Sequence, residues 1–212
     1  MRVLGRIALA SLALTLSTAV CRADNFSFTG NFAGVNDVQQ FQFTVGAGSN
    51  VVLKSYSYAG GVNSAGVTIA EGGFDPILAL FSGTGPSALK IGQNDDGGSM
   101  VPADSVTGQY YDVYLAVNGL VPGSYTVTIQ DFANFAIGPT LGAGFSNHGL
   151  TGGTFRDDSG HDRDSHWAFD VLGVQSAGTG PGPSPVPEPS TFVLLGSGLA
   201  GLVQVVRRRV KV

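Results

Sequence analysis

The chain has 212 residues and a formal net charge of −4, with 11 Lys and Arg against 15 Asp and Glu. Glycine is frequent, at 32 residues, and there is a single cysteine. This composition argues against a basic nucleic-acid-binding protein and against a small fold held by disulfides, and the length fits one domain flanked by processing segments.

The first 23 residues have the pattern of a secretory signal peptide. A charged start at Arg2 and Arg6 precedes an apolar run over residues 7–20. The segment 1–23 ends in small residues at the positions that signal peptidase reads. We therefore expect the general secretion machinery to export the chain, and signal peptidase to cleave it before Asp24.

Cys21 allows a second interpretation of this segment. In a lipoprotein it would be retained as the acylated N-terminus of the exported chain. Val20 stands where that class has a small residue, so cleavage before Asp24 is the favoured interpretation. The exported chain then has no cysteine, and its fold has no disulfides.

The end of the chain combines a rigid motif, an apolar run and a basic end. Residues 186–189 read Val-Pro-Glu-Pro, and residues 191–206 are almost wholly apolar. A helix over 191–206 would rise about 24 Å, which is short against a hydrocarbon core of about 30 Å. The basic residues at 207–211 predict that everything before the tail lies outside the cytoplasm. An ordinary single-pass anchor is the alternative interpretation.

This tail resembles the PEP-CTERM protein-sorting signal of exported bacterial proteins. The resemblance is carried by a Pro-Glu-Pro motif and a basic membrane stop: Pro187, Glu188, Pro189, Arg207, Arg208 and Arg209. It implies transient insertion in the inner membrane and processing by exosortase, a membrane protease-transpeptidase. It also implies a destination at the cell envelope surface or in the extracellular matrix of bacteria that make exopolysaccharide and biofilm.

The net charge conceals a strongly acidic middle of the chain. Of the 11 basic residues, three lie in 1–23 and four in 186–212, and Glu188 is the only acid in either segment. The middle therefore carries four basic and 14 acidic residues, a net charge of −10. Such a surface repels nucleic acid and favours solubility and cation binding.

Short runs of alternating apolar residues, separated by glycine-rich turns, fill residues 24–175 and are typical of an all-β domain. We predict seven to nine strands packed as a β-sandwich, jelly-roll-like. Residues 77–81 are continuously apolar, which indicates a strand buried on both faces. The alternating runs at 111–117 and 125–129 predict a hairpin, and residues 167–171 predict the last strand.

A Gly/Pro/Ser-rich segment over residues 176–185 (SAGTGPGPSP) predicts a linker between the domain and the tail. The predicted organisation is thus a signal peptide at 1–23, a β-sandwich ectodomain at 24–175, this linker, and a sorting tail at 186–212.

Three aspartates flank the predicted buried strand and the strand after it. Asp75 precedes the run at 77–81, and Asp95 and Asp96 lie in the later turn. These carboxylates can meet at one end of a sheet, and carboxylate and carbonyl oxygens are the ligands that Ca²⁺ prefers. The sequence therefore predicts a candidate Ca²⁺ site. The alternative is that Asn, Asp and Gly serve only to shape the turn.

Residues 36–130 resemble the bacterial pre-peptidase C-terminal domain, a secreted β-sandwich. The resemblance is carried by an Asp-Pro before a hydrophobic strand, an Asn-Asp-Asp turn, and the segments at 37–43 and 123–127. It implies the same fold. Gln39 stands where that family often has a second aspartate, which weakens any ion site.

The segment 156–167 is rich in carboxylates and holds His161 and His166, with His148 upstream. Such side chains can bind metals or transfer protons, so a hydrolase using the loop 157–166 is one hypothesis. The histidine spacing matches no zinc signature. A solvated loop leading into the next strand is the favoured interpretation.

No enzyme motif stands out in the sequence, such as a Gly-x-Ser-x-Gly elbow or a phosphate-binding glycine loop before a helix. We therefore predict a non-enzymatic surface or matrix protein, with exosortase and possible extracellular polysaccharide as partners. The second hypothesis is a carbohydrate-binding module, based on a supply of aromatic rings: Tyr56, Tyr58, Tyr110, Tyr111 and Tyr114.

Overall fold

A computed structural model describes residues 23–147 and 153–179. Within them, two antiparallel sheets pack face to face, which confirms the predicted all-β sandwich. The predicted signal peptide, His148, the linker from residue 180 and the sorting tail lie outside this part. Across the two ranges, no helix has the length and apolar character needed to cross a bilayer.

The described residues contain eleven strands and two short 3-10 turns. The 3-10 turns lie at Gly98–Met100 and Leu141–Ala143. The strands are β1 (Asp24–Asn31), β2 (Val38–Val45), β3 (Ser49–Ser55), β4 (Gly61–Val62), β5 (Thr68–Ile69), β6 (Pro76–Ser82), β7 (Leu89–Asn94), β8 (Tyr114–Leu120), β9 (Gly123–Asp131), β10 (His166–Val174) and β11 (Ser176–Thr179).

One sheet has four strands in the order β1-β10-β3-β8, and the other has five in the order β11-β2-β9-β6-β7. Neighbouring strands in both sheets are antiparallel. A small ribbon of β4 and β5 stands apart from them. Because sequential strands alternate between the sheets, most turns cross from one layer to the other.

An aromatic core fills the space between the layers. Phe41 of β2 lies between two rings of β10, with centroids 5.6 Å from Trp167 and 4.9 Å from Phe169, both edge-on. Edge-to-face pairs of this kind add to the free energy gained from burial. Gly30 of β1 faces the indole so closely that a Cβ there would clash with the ring of Trp167. The alternating aromatic residues of the sequence thus become one interdigitated layer.

Strand β6 is buried on both faces, as its continuous apolar run predicts. Leu78 and Leu80 face the central core. Ala79 and Phe81 face outward into a second cluster, which is closed by Leu141 from the segment after β9. That segment covers the outer surface of the five-stranded sheet, so β6 is buried on both faces from Pro76 to Phe81.

The predicted hairpin between residues 111–117 and 125–129 is wrong. Strand β8 begins only at Tyr114 and pairs with β3, whereas β9 pairs with β2 and β6. Both runs do bury one face, but they bury it from opposite sheets. The alternation of apolar residues indicates which side chains face the core, but it does not indicate which strand lies alongside.

The first four residues of the predicted linker form a strand instead. Strand β11 pairs with β2, with Ser176 opposite Thr44 and Thr179 opposite Phe41. Ala177 packs against the core. The small side chains that suggested a linker also allow this segment to lie flat along the edge of the sheet, so β10 is not the last strand.

The sandwich has two unlike ends. Connections at residues 46–48, 83–88, 121–122 and 175 close one end, which we call the short-turn end. The opposite end, the loop end, carries the long connections at 32–37, 56–75, 95–113 and 132–165. The strand registers place all four long loops together, and the acidic segments singled out in the sequence fall among them.

Candidate functional site

Six carboxyl groups from four segments lie in one neighbourhood at the loop end. Asp75 precedes β6 and Asp131 ends β9; these two strand ends adjoin because Pro76 pairs with Asp131. The turn after β7 and the loop before β10 supply the other four. We call this group the acidic cluster, and its members are Asp75, Asp95, Asp96, Asp131, Asp157 and Asp158.

These carboxyl groups lie near enough to one another to shift each other's pKa values. Burial raises the pKa of Asp75 most, and the charges of Asp96, Asp131, Asp95 and Asp157 raise it further. Asp96 behaves likewise: burial raises its pKa, and so do the charges of Asp95 and Asp158. The structure therefore joins two segments that lie far apart in the sequence, the turn at 94–98 and the loop at 156–166.

The inner part of the acidic cluster is a pair of buried carboxyl groups. Asp75 and Asp131 are each 2% exposed. Burial raises the pKa of Asp75 to about 9 and that of Asp131 to about 8. Both groups are therefore protonated near pH 7.

Polar atoms that have no hydrogen-bond partner concentrate beside this pair. Within the described ranges, five of the six such buried side-chain atoms belong to Asp75, Thr128, Gln130 and Asp131. Thr128 and Gln130 lie on the outer face of β9, next to Ala79 and Ile77 of β6. Buried polar groups are normally paired, and the unpaired ones among the described residues are concentrated at this end of β9.

The predicted calcium ligands are in one neighbourhood but do not form a compact set. Asp75 is buried, whereas Asp96 is exposed. Among residues 23–147 and 153–179, no group of three or more His, Cys, Asp or Glu is arranged to hold a metal. The turn itself is held locally, since Asn94 Nδ2 donates to the carbonyl of Asp96 at 2.8 Å. Calcium binding at Asp75, Asp95 and Asp96 stays a prediction.

Most of the loop before β10 is exposed, as predicted, but a buried arginine anchors it. The side chain of Arg163 is 5% exposed and lies 3.6 Å over the ring of Tyr58. Its guanidinium donates to the carbonyls of Tyr58 and Gly73 and to the carboxylate of Asp104, at 2.8 to 3.1 Å. The planar guanidinium therefore donates to acceptors at three separate positions in the loops.

Asp157 links the acidic cluster to this anchor. It accepts hydrogen bonds from the Tyr58 hydroxyl at 2.6 Å and from the His161 N–H at 2.8 Å. Burial alone would raise the pKa of Asp157, but these bonds outweigh it and lower the pKa. Burial and the same hydrogen bond raise the pKa of Tyr58 above its ordinary value. Asp157 therefore holds a negative charge beneath the surface of the loop end.

The two histidines of the loop have separate partners. His161 is about half exposed, with Nδ1 3.2 Å from Asp157. His166 contacts Asp164, and its Nε2 lies 3.1 Å from the carbonyl of Ala70. The structure does not join them at one carboxylate, and the hydrolase hypothesis for this loop stays untested.

The five tyrosines fall into two groups. Tyr56 and Tyr58 are buried and donate to Asp170 and Asp157. Tyr110, Tyr111 and Tyr114 are at least partly exposed, with Tyr110 45% exposed at the loop end. Only the second group therefore offers exposed aromatic rings on which a sugar could stack.

Asp131 and Gln130 were not singled out in the sequence. A signal for Asp131 exists: Tyr125, Val127 and Ile129 face the core in alternation, and Asp131 occupies the next core-facing position. A carboxyl group in an apolar register is a candidate for a raised pKa. For Gln130 the sequence carries no signal, because its burial depends on the segment that covers β9.

Comparison with known proteins bears on the tail alone. A family model described as the PEP-CTERM protein-sorting motif matches residues 185–209. No curated protein matches the chain. The resemblance of residues 36–130 to the pre-peptidase C-terminal domain finds no support in these comparisons. The motif implies exosortase as the processing partner, and so the chain carries the sorting signal of an exported, cell-surface-directed protein.

Proposed function

We propose that this protein is a non-enzymatic component of the cell surface or extracellular matrix, and that its acidic cluster binds acidic exopolysaccharide through divalent cations, principally Ca²⁺. The sorting motif at residues 185–209 supports the destination. The observation that carries the molecular role is the acidic cluster at the loop end.

The charges around the cluster support a cation-bridged contact. The four basic residues of the described part are each engaged elsewhere, in two ion pairs, a hydrogen bond and a ring contact: Arg163 with Asp104, Arg156 with Asp162, Lys90 with the Ala136 carbonyl, and Lys54 over Tyr56. The acidic cluster thus keeps an excess of negative charge. An acidic polymer would be repelled from it unless multivalent cations bind both surfaces.

Export and processing form the second part of the proposal. The signal peptide brings the chain across the inner membrane, the apolar tail holds it there, and exosortase removes the tail. The mass of the mature protein tests this step in strains with and without exosortase. We expect loss of the tail only where exosortase is active, and persistence of the full tail in both strains would contradict the proposal.

Binding to the host's exopolysaccharide tests the role of the cluster. Mature protein purified from cells would be captured on the polymer with Ca²⁺, with Mg²⁺, or with a chelator. The variant Asp96→Asn with Asp158→Asn removes two exposed charges of the cluster. The control Asp24→Asn with Asp162→Asn removes two exposed charges outside it, one of them already paired with Arg156.

We expect the chelator and the cluster variant each to abolish capture, and the control to bind as the wild type does. Equal capture by both double variants, or capture that resists the chelator, would refute the cation-bridged contact. If capture resists the chelator and is lost in Tyr110→Ala, the carbohydrate-binding hypothesis is favoured instead, because Tyr110 presents the exposed ring at the loop end.

A further inference from the structure

We propose that the mature protein pairs with a second copy of itself through the side of the sandwich where β7 and β8 form the edges of the two sheets. We call this the acid-free side; it comprises β7, β8 and the covering segment 132–147. The pairing does not depend on the proposed ligand. Its consequence rests on the proposed function, because a pair of molecules carries two acidic clusters and can bind two segments of polymer at once.

The charge distribution favours a second copy as the partner for this side. The middle of the chain has a net charge of −10, yet none of its 14 acidic residues falls within 89–94, 114–120 or 132–147. The basic residue in these ranges, Lys90, donates from Nζ to the carbonyl of Ala136. Two copies repel each other where carboxylates face carboxylates, and on this side they can approach without that repulsion.

Three exposed apolar side chains are grouped around Lys90. Leu89 and Ile91 flank it in β7 and are 57% and 43% exposed. Ile137, which is 62% exposed, lies in the covering segment. The N–H of Lys90 donates to the carbonyl of Pro139 in that segment at 2.8 Å, so the segment is held beside β7. We call Leu89, Ile91 and Ile137 the apolar patch, because grouped apolar side chains mark interaction surfaces whereas scattered ones do not.

The free edge of β8 continues this surface. A Cβ at Gly92 of β7 would lie 3.5 Å from the side chain of Leu115, so the two edge strands are neighbours. The amide of Asn94 donates to the carbonyl of Tyr114 at 3.0 Å and caps the start of the edge. Beyond it, β8 has no proline or charged residue of the kind that protects exposed edges. Its pairing with β3 is irregular only at the far end, opposite Asn50.

The opposite side of the sandwich lacks these features. Its edge strands are β1 and β11, and neither contributes a large apolar side chain that is exposed. Within the described residues the chain begins at β1 and ends at β11. A second copy on the acid-free side therefore meets neither end of the described chain.

Contact of the apolar patch with its own counterpart makes an isologous pair, which a twofold axis closes at two copies. The apolar side chains of one copy then meet those of the other, while the ammonium of Lys90 stays bound to its own Ala136 carbonyl. The patch is small, so we expect a weak and reversible dimer.

Sedimentation velocity of the mature protein over a concentration series tests the pairing. A chelator is present throughout, so divalent cations cannot bridge two acidic clusters. We expect the mass to rise from one copy to two, and added salt to strengthen the pairing because it screens the repulsion between the acidic domains. A protein that stays monomeric up to about 1 mM, or a dimer that salt weakens, would overturn the inference.

A pair of double variants locates the contact. Leu89→Lys with Ile137→Lys brings like charges together across the twofold axis. The control Val62→Lys with Val106→Lys makes the same change in net charge at two exposed valines, in the β4–β5 ribbon and in the loop after β7. We expect association to weaken by about tenfold or more in the patch variant and to persist in the control. Equal association of the two variants would place the contact elsewhere and refute the acid-free side.

Dimerisation and polymer capture fail independently. If the protein dimerises through the patch but is not captured on exopolysaccharide, the ligand is wrong and the pairing holds. If capture depends on the acidic cluster in a protein that stays monomeric, the proposed function holds and the pairing is wrong. The cluster variant Asp96→Asn with Asp158→Asn should dimerise at least as tightly as the wild type, because it removes only repelling charges.

Discussion

At the scale of single residues, Arg163 is the side chain on which the loop end most depends. Its guanidinium lies on the ring of Tyr58 and donates to two carbonyls and to Asp104. The hydrogen bonds from Arg163 and Thr107 outweigh burial and lower the pKa of Asp104, so the ion pair persists at neutral pH. Removing one partner of such a buried pair leaves the other charge unpaired, which is costly.

We expect Arg163→Lys to lower the free energy of unfolding by about 2 to 4 kcal/mol, because an ammonium cannot supply the planar fork or the stacking. Arg156→Lys is the control. Its exposed pair with Asp162 should contribute below about 1 kcal/mol. Urea unfolding measures both variants, and similar losses would show that Arg163 is not the anchor.

Gly30 and Gly178 make a second pair of test positions, both in strands. A Cβ at Gly30 would clash with the indole of Trp167, whereas one at Gly178 meets nothing within 4 Å. Gly30→Ala should destabilise the sandwich by about 1 to 3 kcal/mol, the usual cost of overpacking a core. Gly178→Ala should leave the melting temperature unchanged or raise it slightly. A neutral Gly30→Ala would mean that the aromatic core can repack.

The buried carboxyl groups predict an unusual dependence of stability on pH. The folded-state pKa values of Asp75 and Asp131 rise from 3.8 to about 9 and about 8. Between these limits the folded protein binds more protons than the unfolded chain, so stability falls as the pH rises. Asp104 and Asp157 have lowered pKa values, so their contribution is lost only as the pH falls into the acid range.

We expect the wild type to lose stability from about pH 5 to about pH 9, and Asp75→Asn with Asp131→Asn to reduce that slope. Burial also raises the pKa values of Asp112 and Asp96, which contribute to the remainder. Urea unfolding across this range is the measurement. A double variant with the slope of the wild type would show that other groups cause it. If Ca²⁺ binds the cluster, adding it should stabilise the wild type most at the alkaline end, where the carboxyl groups ionise.

At the scale of elements, the edge strand β11 and the segment that covers β9 are the features that set the architecture around the site. Strand β11 is formed by Ser176–Thr179, which were predicted to be part of a linker, and it pairs with β2. The segment after β9 buries Thr128 and Gln130 beneath it. Neither has a strong local pattern, because each depends on a surface that a distant part of the chain provides.

Replacing Ala177 with Asp should detach β11, because Ala177 packs against the core and a carboxylate there would be desolvated. Thr179→Asp, at the exposed end of the strand, is the control. Limited proteolysis of the mature protein should cut near residue 176 faster in Ala177→Asp than in Thr179→Asp. Indistinguishable rates would show that β11 does not protect this segment.

At the scale of the whole molecule, the two ends of the β-sandwich differ in structure. The short-turn end closes the sheets with brief connections, and the loop end gathers long loops that carry the acidic cluster and the Arg163 anchor. The middle of the chain has a net charge of −10, and the fold places several of its carboxyl groups where the strands end. Strand β11 also runs toward this end.

Local chemistry is enough to predict much of this protein. Alternating aromatic and polar residues predict the core-facing side chains of β2 and β10, and the continuous apolar run predicts the burial of β6 on both faces. The sorting tail is read from a few adjacent residues, as the match to 185–209 confirms. These features depend on contacts within a short stretch of chain, so they can be recognised without the fold.

Tertiary structure decided which strands pair and which charges meet. Strands β8 and β9 alternate as a hairpin would, yet each binds a different sheet, because hydrogen-bonded partners are chosen by the packing of the two layers. Asp75 and Asp158 lie far apart in the sequence, and only the ends of the strands bring their segments together. The raised pKa values of Asp75 and Asp131 follow from burial, and the path of β11 toward the loop end follows from an edge that β2 offers. Each of these features depends on long-range contacts, and only the burial of Asp131 has a local signal, in the alternation of β9.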